Sequence, residues 1–435
     1  MSFLGLHTAL SGVRVGQAGL DAASNNVANA SSDGYTRQRV SQSESISLER
    51  NFGLIGTGAT IDGVERVRDA FLDTRARATG AAFSEADTTA ELLQRTEGLF
   101  AEPEAGLTEV LGEVWDAFED LANDPSNTAA REQALTSIGT VTGRFRSIDV
   151  GLAQLQEDTG TRLSGTVTDA NELLAELHAL NSEISSAGTE PNDLLDRRDL
   201  VVDQLASMLG MDATRSPEGS VHLELGDELL VGDPQGPMEL TDDLVAEAAG
   251  EIGALHGFVT ADLPAWRAEL DAFAAEFAAQ LNTAHGTDES GDPVPLVGFE
   301  DPDNPSAAGI GLALTDPGGL IAGQGALDGS NAAAIADLRD GPANDDFDAA
   351  LPASLRSLVT SLGRSTAEAT RAADANESLF ASATSARQSM HGVSIDEEMV
   401  SLIQYQRGLE ASSRVMTAVD QALDVLINRT GLVGR

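Results

Sequence analysis

The side chains best suited to chemistry are thinly scattered along this chain. Histidine occurs six times, at His7, His178, His222, His256, His285 and His391, and cysteine not at all, which excludes thiolate metal sites and disulfides. No two histidines have the HExxH spacing that turns two imidazoles toward one metal ion. There is no GxSxG elbow to present a nucleophilic serine and no GxxxxGK loop to cradle phosphate. The acidic run Asp288, Glu289, Asp292, Asp301 and Asp303 has calcium-ligand chemistry but lacks EF-hand spacing, and it reads as a solvated loop. These residues imply no catalytic set, no metal and no cofactor.

Charge narrows the partners. All 26 basic residues are arginine against 70 acidic residues, a formal net charge of −44. Residues 1–78 hold 8 Arg and 8 acids, and residues 356–435 hold 8 Arg and 9 acids. The middle, with 10 Arg and 53 acids, carries nearly all the excess. Neutral ends can crowd against one another while an acidic middle faces water. The absence of basic clusters argues against nucleic acid and against an anionic membrane surface. No run of 18 apolar residues exists, and the N-terminus lacks the basic and apolar segments of a cleaved secretory signal. Export, if it occurs, is expected to read an uncleaved N-terminus.

The elements that must position any function are at the two ends. Phe3, Leu6, Leu10, Val13, Gln17, Leu20, Ser24 and Val27 recur at steps of three and four, and so do Ile395, Met399, Leu402, Gln406, Leu409, Ser413, Met416, Leu423 and Ile427. Each series predicts an amphipathic helix with a narrow apolar seam. Periodicity alone is equally met by surface helices of one globular core. Gly5, Gly12, Gly16 and Gly19 each cost roughly 1 kcal/mol of helix stability relative to Ala, so the first helix needs a partner. Ser394 and Glu397 have capping-box spacing, and Asp396, Glu397 and Glu398 place negative charge at the positive end of the last helix.

Between the ends, Asp33 and Gly34 predict a turn, and Leu48 to Val67 reads as extended. Helical spacing runs over 69–122, breaks at Asp124 and Pro125, and returns over 128–209, where Leu163, Val167, Ala170, Leu174, Leu177 and Ile184 follow heptad steps. A β-hairpin is expected at about 219–240, turning at Gly226 and Asp227. Further helices are expected at about 264–282 and 350–390, flanking a Gly-, Pro- and Asp-rich loop with short strands at 286–330.

Several of these segments carry a family resemblance. LSGVRVGQAGLDAASNNVANASSDGYTRQRV (10–40) resembles the N-terminal signature of bacterial flagellar axial proteins, and its Gly34-Tyr35-Thr36-Arg37-Gln38 version resembles the FlgK family of hook-associated proteins. PNDLLDRRDLVVDQL (191–205), LNTAHG (281–286), LDGSNAAAIADL (327–338) and GVSIDEEMVSLIQYQRGLEASSRVMTAVDQALDVLIN (392–428) are similar to that family in the same order. Two departures stand out. Ser32 and Asp33 replace the usual Thr-Pro, and the span after His285 is too short for the outer β domain of many relatives.

The resemblance implies a mainly α, elongated, multi-domain axial subunit with its terminal helices paired as a coiled coil. The expected organisation is 1–60 with 393–435 as the assembly domain, 61–285 with 331–392 as a long-helix bundle with a small hairpin, and 286–330 as a remnant of the outer β domain or a loop. It implies a structural adaptor at the hook–filament junction of the bacterial flagellum. Its partners would be copies of itself in a ring, the hook protein, a second junction protein and an export chaperone on the C-terminal segment, with no nucleic acid and no membrane. The location would be extracellular, reached through the type III apparatus. Expected interface residues are Leu6, Leu10, Val13 and Leu20 on the first helix and Met399, Leu402, Leu409, Met416, Leu423 and Ile427 on the last. Asn25, Asn26 and Asn29 are expected to close the first helix, with Tyr35 as an anchor. A hook or distal rod axial protein is the alternative within the class. A hydrolase carried on flagellar ends is the alternative outside it.

Overall fold

Residues 4–51, 53–100, 106–187, 191–211, 213–216, 219–232, 236–287 and 291–429 are described by the computed structural model. Phe3, Asp288 and Glu289 of the series above lie outside them. The seam residues of the first helix fall in α1 (Leu4–Ala28), which ends in a turn closed by the Tyr35 N–H donating to the Ser32 carbonyl (3.2 Å). Gly34 there has φ 75°, a conformation open to glycine at no steric cost. Strands follow earlier than the extended stretch at Leu48 implied. β1 (Gln38–Glu44) pairs antiparallel with β4 (Ala59–Arg66), and β2 (Leu48–Arg50) with β3 (Gly53–Ile55) at the tip. The β1–β4 register runs from Gln38↔Arg66 to Glu44↔Ala59 with a bulge after Ser41. This hairpin lies on α1, where the Ala59 N–H donates to Ser11 Oγ.

The helical stretch expected over 69–122 is two helices, α2 (Ala70–Phe100) and α3 (Leu107–Asn123). α4 (Thr128–Ser186) starts where Asp124 and Pro125 break the pattern, capped by Asn127, whose side chain accepts from the Ala129 and Ala130 N–H groups. α5 (Asn192–Leu209) stops at the left-handed Gly210. The hairpin at 219–240 is β6 (Val221–Leu225) with β7 (Glu228–Val231), and β5 (Ala213–Arg215) adds a third antiparallel strand. α6 (Asp242–Glu247), α7 (Gly250–Gly257) and α8 (Leu263–His285) return the chain to the bundle. β8 (Val297–Phe299) and β9 (Ile310–Leu312) form a small sheet, and α9 (Ser330–Ala336) precedes α10 (Leu351–His391), which packs along α2. α11 (Ile395–Asp424) closes the chain.

Two apolar cores explain the body. The larger gathers Trp115 and Phe118 of α3, Phe145 of α4, and Phe273 and Phe277 of α8, the last two 5.5 and 5.7 Å from the Phe145 ring. The smaller joins Ala170, Leu174 and Leu177 of α4 to Val201, Val202 and Leu205 of α5 and to the β5–β7 sheet. One long helix thus serves both cores. The 286–330 segment, which its composition casts as loop or stump, seals the larger core: Leu296, Val297, Ala307, Ile310, Leu320 and Ala322 are buried in it. Three side chains from the two family-like motifs there pin it. Asn282 donates to Val297 O and accepts the Leu296 and Val297 N–H groups. His285 bonds Val294 O through Nδ1 (2.7 Å) and accepts the Ile321 N–H at Nε2 (2.8 Å). Asn331 donates to His285 O.

Candidate assembly site

The ends of the chain meet. α1 and α11 run antiparallel along their lengths, Gly5 facing Val419, Gly12 facing Ser412, Gly16 facing Leu409 and Gly19 facing Tyr405. The heptad on α1 that makes this contact is Gly5, Ala9, Gly12, Gly16, Gly19, Ala23 and Asn26, of which Ala9, Gly16, Gly19, Ala23 and Asn26 are buried. On α11 it is Glu398, Leu402, Tyr405, Leu409, Ser412, Met416, Val419 and Leu423. A Cβ added at Gly16 would come within 3.1 Å of Leu409 Cβ, and one at Gly19 would overlap the Tyr405 ring. The glycines that weaken an isolated helix are the groove into which the partner's side chains fit.

The expected seam on α1 is therefore corrected by one position around the helix. Leu6, Val13 and Leu20 are half-buried and Leu10 is 37% exposed, beside the contact stripe and not in it. Gln17, Ser24, Gln406 and Ser413, expected within the seams, are all exposed. On α11, Leu402, Leu409, Met416 and Leu423 do lie on the contact stripe, half-buried, whereas Met399 (50% exposed) and Ile427 (74% exposed) face away. The misreading has a plain cause. Periodicity weighted by side-chain size selects leucines, but close helix approach selects small residues.

The end of the pair is locked by polar groups. Asn26, only 1% exposed, donates from Nδ2 to Gln38 O (2.9 Å) and Glu398 Oε2 (3.0 Å), while its Oδ1 accepts from the Gln38 N–H (2.9 Å) and the Tyr35 hydroxyl (2.8 Å). All four bonding capacities of the amide are used. Asn25 donates to the Tyr35 hydroxyl (3.2 Å) and Asn29 back-bonds to Asn25. Burial, then the charges of Asp196 and Glu398, push the Tyr35 phenol up to about 12, so it stays a donor. Arg37 pairs with Glu397 (2.9 Å) and Glu398 (2.7 Å). Ser394 caps α11 by accepting the Glu397 N–H, but the Glu397 carboxylate turns to Arg37 and not back to the cap.

A second cluster joins this end to the helical body; its segment on α5 carries the family resemblance, but sequence reading assigns its acids no role. α5 presents Asp196, Asp199 and Asp203 on one face, spaced three and four. Arg66 pairs with Asp196 (2.9 Å) and Asp199 (2.7 Å), Arg68 with Asp199 and with Asp73 (2.6 Å), and Arg77 and Arg387 with Asp203 (both 2.6 Å). The Thr36 N–H donates to Asp196 Oδ2 and Asn192 to Val64 O. Arg198, fully buried on the same helix, donates to Gly219 O (2.8 Å), and burial with the neighbouring arginines lowers its guanidinium to about 10. The DLLDRRDLVVD pattern, an acid every three or four residues on a helix with one arginine turned inward, is the signal that could have found this joint. Among the described residues, no three His, Asp or Glu side chains converge as metal ligands, and no helix is long and apolar enough to cross a membrane.

The comparisons agree with this architecture. The family model of the FlgK helical domain matches residues 93–293, and that of the flagellar basal body rod FlgEFG C-terminal segment matches 385–429. Flagellar hook-associated protein 1 of Bacillus subtilis is 32% identical over all of this chain and 99% of its own length. This chain belongs to the flagellar hook-associated protein 1 family. Members from Salmonella typhimurium and Escherichia coli are 28% and 25% identical, over 66% and 73% of this chain and 58% and 65% of theirs. The flagellar hook junction protein FlgK from Burkholderia pseudomallei shares the fold, with a TM-score of 0.63 at 15% identity over 73% of this chain and all of that one. The family's function, that of a structural subunit of the flagellar hook–filament junction, is the function of this chain.

Proposed function

We propose that the chain serves this junction as a non-catalytic adaptor whose copies form a ring on the hook tip, joined through the outward faces of the paired terminal helices. The observation that carries the reading is what the pairing leaves over. With the small-residue seam closed inside one chain, Leu10, Ile395, Met399, Val400 and Ile403 remain exposed along the pair, with Leu6, Val13 and Leu20 half-buried beside them. An apolar surface of this kind marks a protein contact, and covering it gains about 25 cal/mol per Å². The hook protein on one side and a second junction protein on the other are the proposed neighbours. An export chaperone would cover Val415, Val425, Leu426 and Ile427 before assembly, all four exposed near the C-terminal end. Travel through the type III route without a cleaved signal and residence outside the cell complete the proposal.

The test is complementation of a deletion strain with Leu10→Asp and Met399→Asp. Neither position lies on the intrachain contact stripe, so the purified variants should keep wild-type helicity. Hooks without filaments, with flagellin shed into the medium, is the expected result; filaments of normal length from both variants would refute the reading.

A further inference from the structure

His391, the last residue of α10, holds three pieces of chain at the joint between the terminal helix pair and the helical body. Its carbonyl accepts the Arg37 N–H (3.0 Å), at the entry to β1, and its Nε2 accepts the Asp69 N–H (2.9 Å), just before α2. An imidazole that accepts at Nε2 carries its single proton on Nδ1, which faces Asp73 Oδ1 at 3.6 Å. That carboxylate oxygen is buried and has no hydrogen-bond partner among the described residues. The neutral ring is therefore the one the joint is built around.

The charged groups around the ring act in opposite senses. Asp73 and Asp69 favour a second proton, while Arg68 and Arg387 oppose it. Asp199 and Asp203 of α5, Glu397 of α11 and Arg37 line the same cleft, each already paired with a charged neighbour as described above. Burial is the largest influence and holds the imidazole below its ordinary range, so the ring is neutral at pH 7.

We propose that His391 is an acid-released latch, and that a second proton on its ring frees the entry of α2 from the end of α10 at the joint where the terminal helix pair meets the helical body. The proton comes from solvent and adds to the Nε2 lone pair, the same lone pair that receives the Asp69 N–H. Two N–H groups would then point at each other across 2.9 Å, and the amide must leave. The first turn of α2 loses its anchor, because Asp69 also caps that turn by accepting the Phe71 N–H (2.9 Å). The device needs no ligand and no partner, and it stands independently of the ring proposed above.

Amide hydrogen exchange on the full chain, corrected for the intrinsic pH dependence, tests the latch in peptides covering 66–76 and 385–394. Between pH 7.5 and 5.0 the wild type should lose protection there by about tenfold, the size expected for one net hydrogen bond. His391→Gln, which keeps an acceptor oxygen and cannot titrate, should show equal protection at both pH values. His285→Gln should keep the wild-type response at this joint. Protection independent of pH in the wild type, or the same loss in His391→Gln, would overturn the proposal. If His391→Gln does not fold, an NMR titration of the wild-type ring decides: a ring that protonates while the Asp69 amide stays protected is the contrary result.

Discussion

At the scale of residues, the account turns on small side chains and on saturated polar ones. Gly19→Val would drive a branched side chain into the Tyr405 ring. Overpacking of this kind costs about 1–3 kcal/mol, and it should appear as protease trimming of both termini with the body intact. Asn26→Ala would strand the Gln38 N–H, the Tyr35 hydroxyl and one Glu398 oxygen at once. A loss of about 1–3 kcal/mol is expected in the stability of the terminal pair, read by denaturant titration of helicity. His285 gives a pH dependence with a definite sign. Its ring is fully buried, bonded at both nitrogens and held below the ordinary value of 6.5 by burial, so the unfolded chain binds the proton more tightly. The stabilising contribution is complete above about pH 6.5 and declines as pH falls below it. Urea midpoints measured from pH 7.5 to 5 should fall more steeply for the wild type than for His285→Gln; equal slopes would remove the assignment. Residue-level reading of the sequence singled out Asn25, Asn26, Asn29 and Tyr35 because an Asn cluster beside a Gly-aromatic turn is a local signal. It noted the glycines only as a cost to the helix and did not place them on the contact, because the value of a glycine there depends on a helix nearly four hundred residues away.

At the scale of elements, long helices were legible, but apart from the two ends their partners were not. The heptad steps in 163–184 and the break at Asp124 and Pro125 are written in local periodicity, and α4 and its cap follow them. The division of 69–122 into α2 and α3 falls at Pro103 and Gly106, local breakers that the helical spacing on either side overrode, whereas the short α9 and the start of β1 at Gln38 have no comparable local mark. The same holds for 286–330, whose polar composition masked the six apolar side chains that close the larger core. The acid ladder on α5 belongs to this scale too, since it binds α2, α5, α10 and the β4 end into one joint. Asp199→Asn would leave Arg66 and Arg68, both largely buried, short of a counter-charge. Breaking one partner of a buried pair costs about 3–5 kcal/mol. The expected outcome is a lowered denaturation midpoint, with added exchange in peptides 62–78 before the rest of the body opens.

At the scale of the whole molecule, the chain divides its surface by task. The acidic middle folds around two apolar cores, and the nearly neutral ends fold onto each other with apolar flanks to spare. Like charges kept on the body hold copies apart there and leave the terminal pair as the place of closest approach. Raised ionic strength should therefore ease association of the purified chain, and Leu10→Asp should abolish that association at every salt concentration; light scattering from 0.05 to 0.5 M salt reads both. That the two ends belong together was visible in sequence. Which face each end offers the other was not.

The most direct test of that pairing uses the absence of native cysteine. In the assembled junction, Gly12→Cys with Ser412→Cys places two thiols where the Gly12 Cβ position lies 3.3 Å from Ser412 Cβ, close to disulfide reach. Oxidation should give an intrachain bridge that runs at monomer mass on a non-reducing gel. A ladder of covalent oligomers from this cysteine pair, or no bridge at all, would contradict the antiparallel pairing of the two ends within one chain.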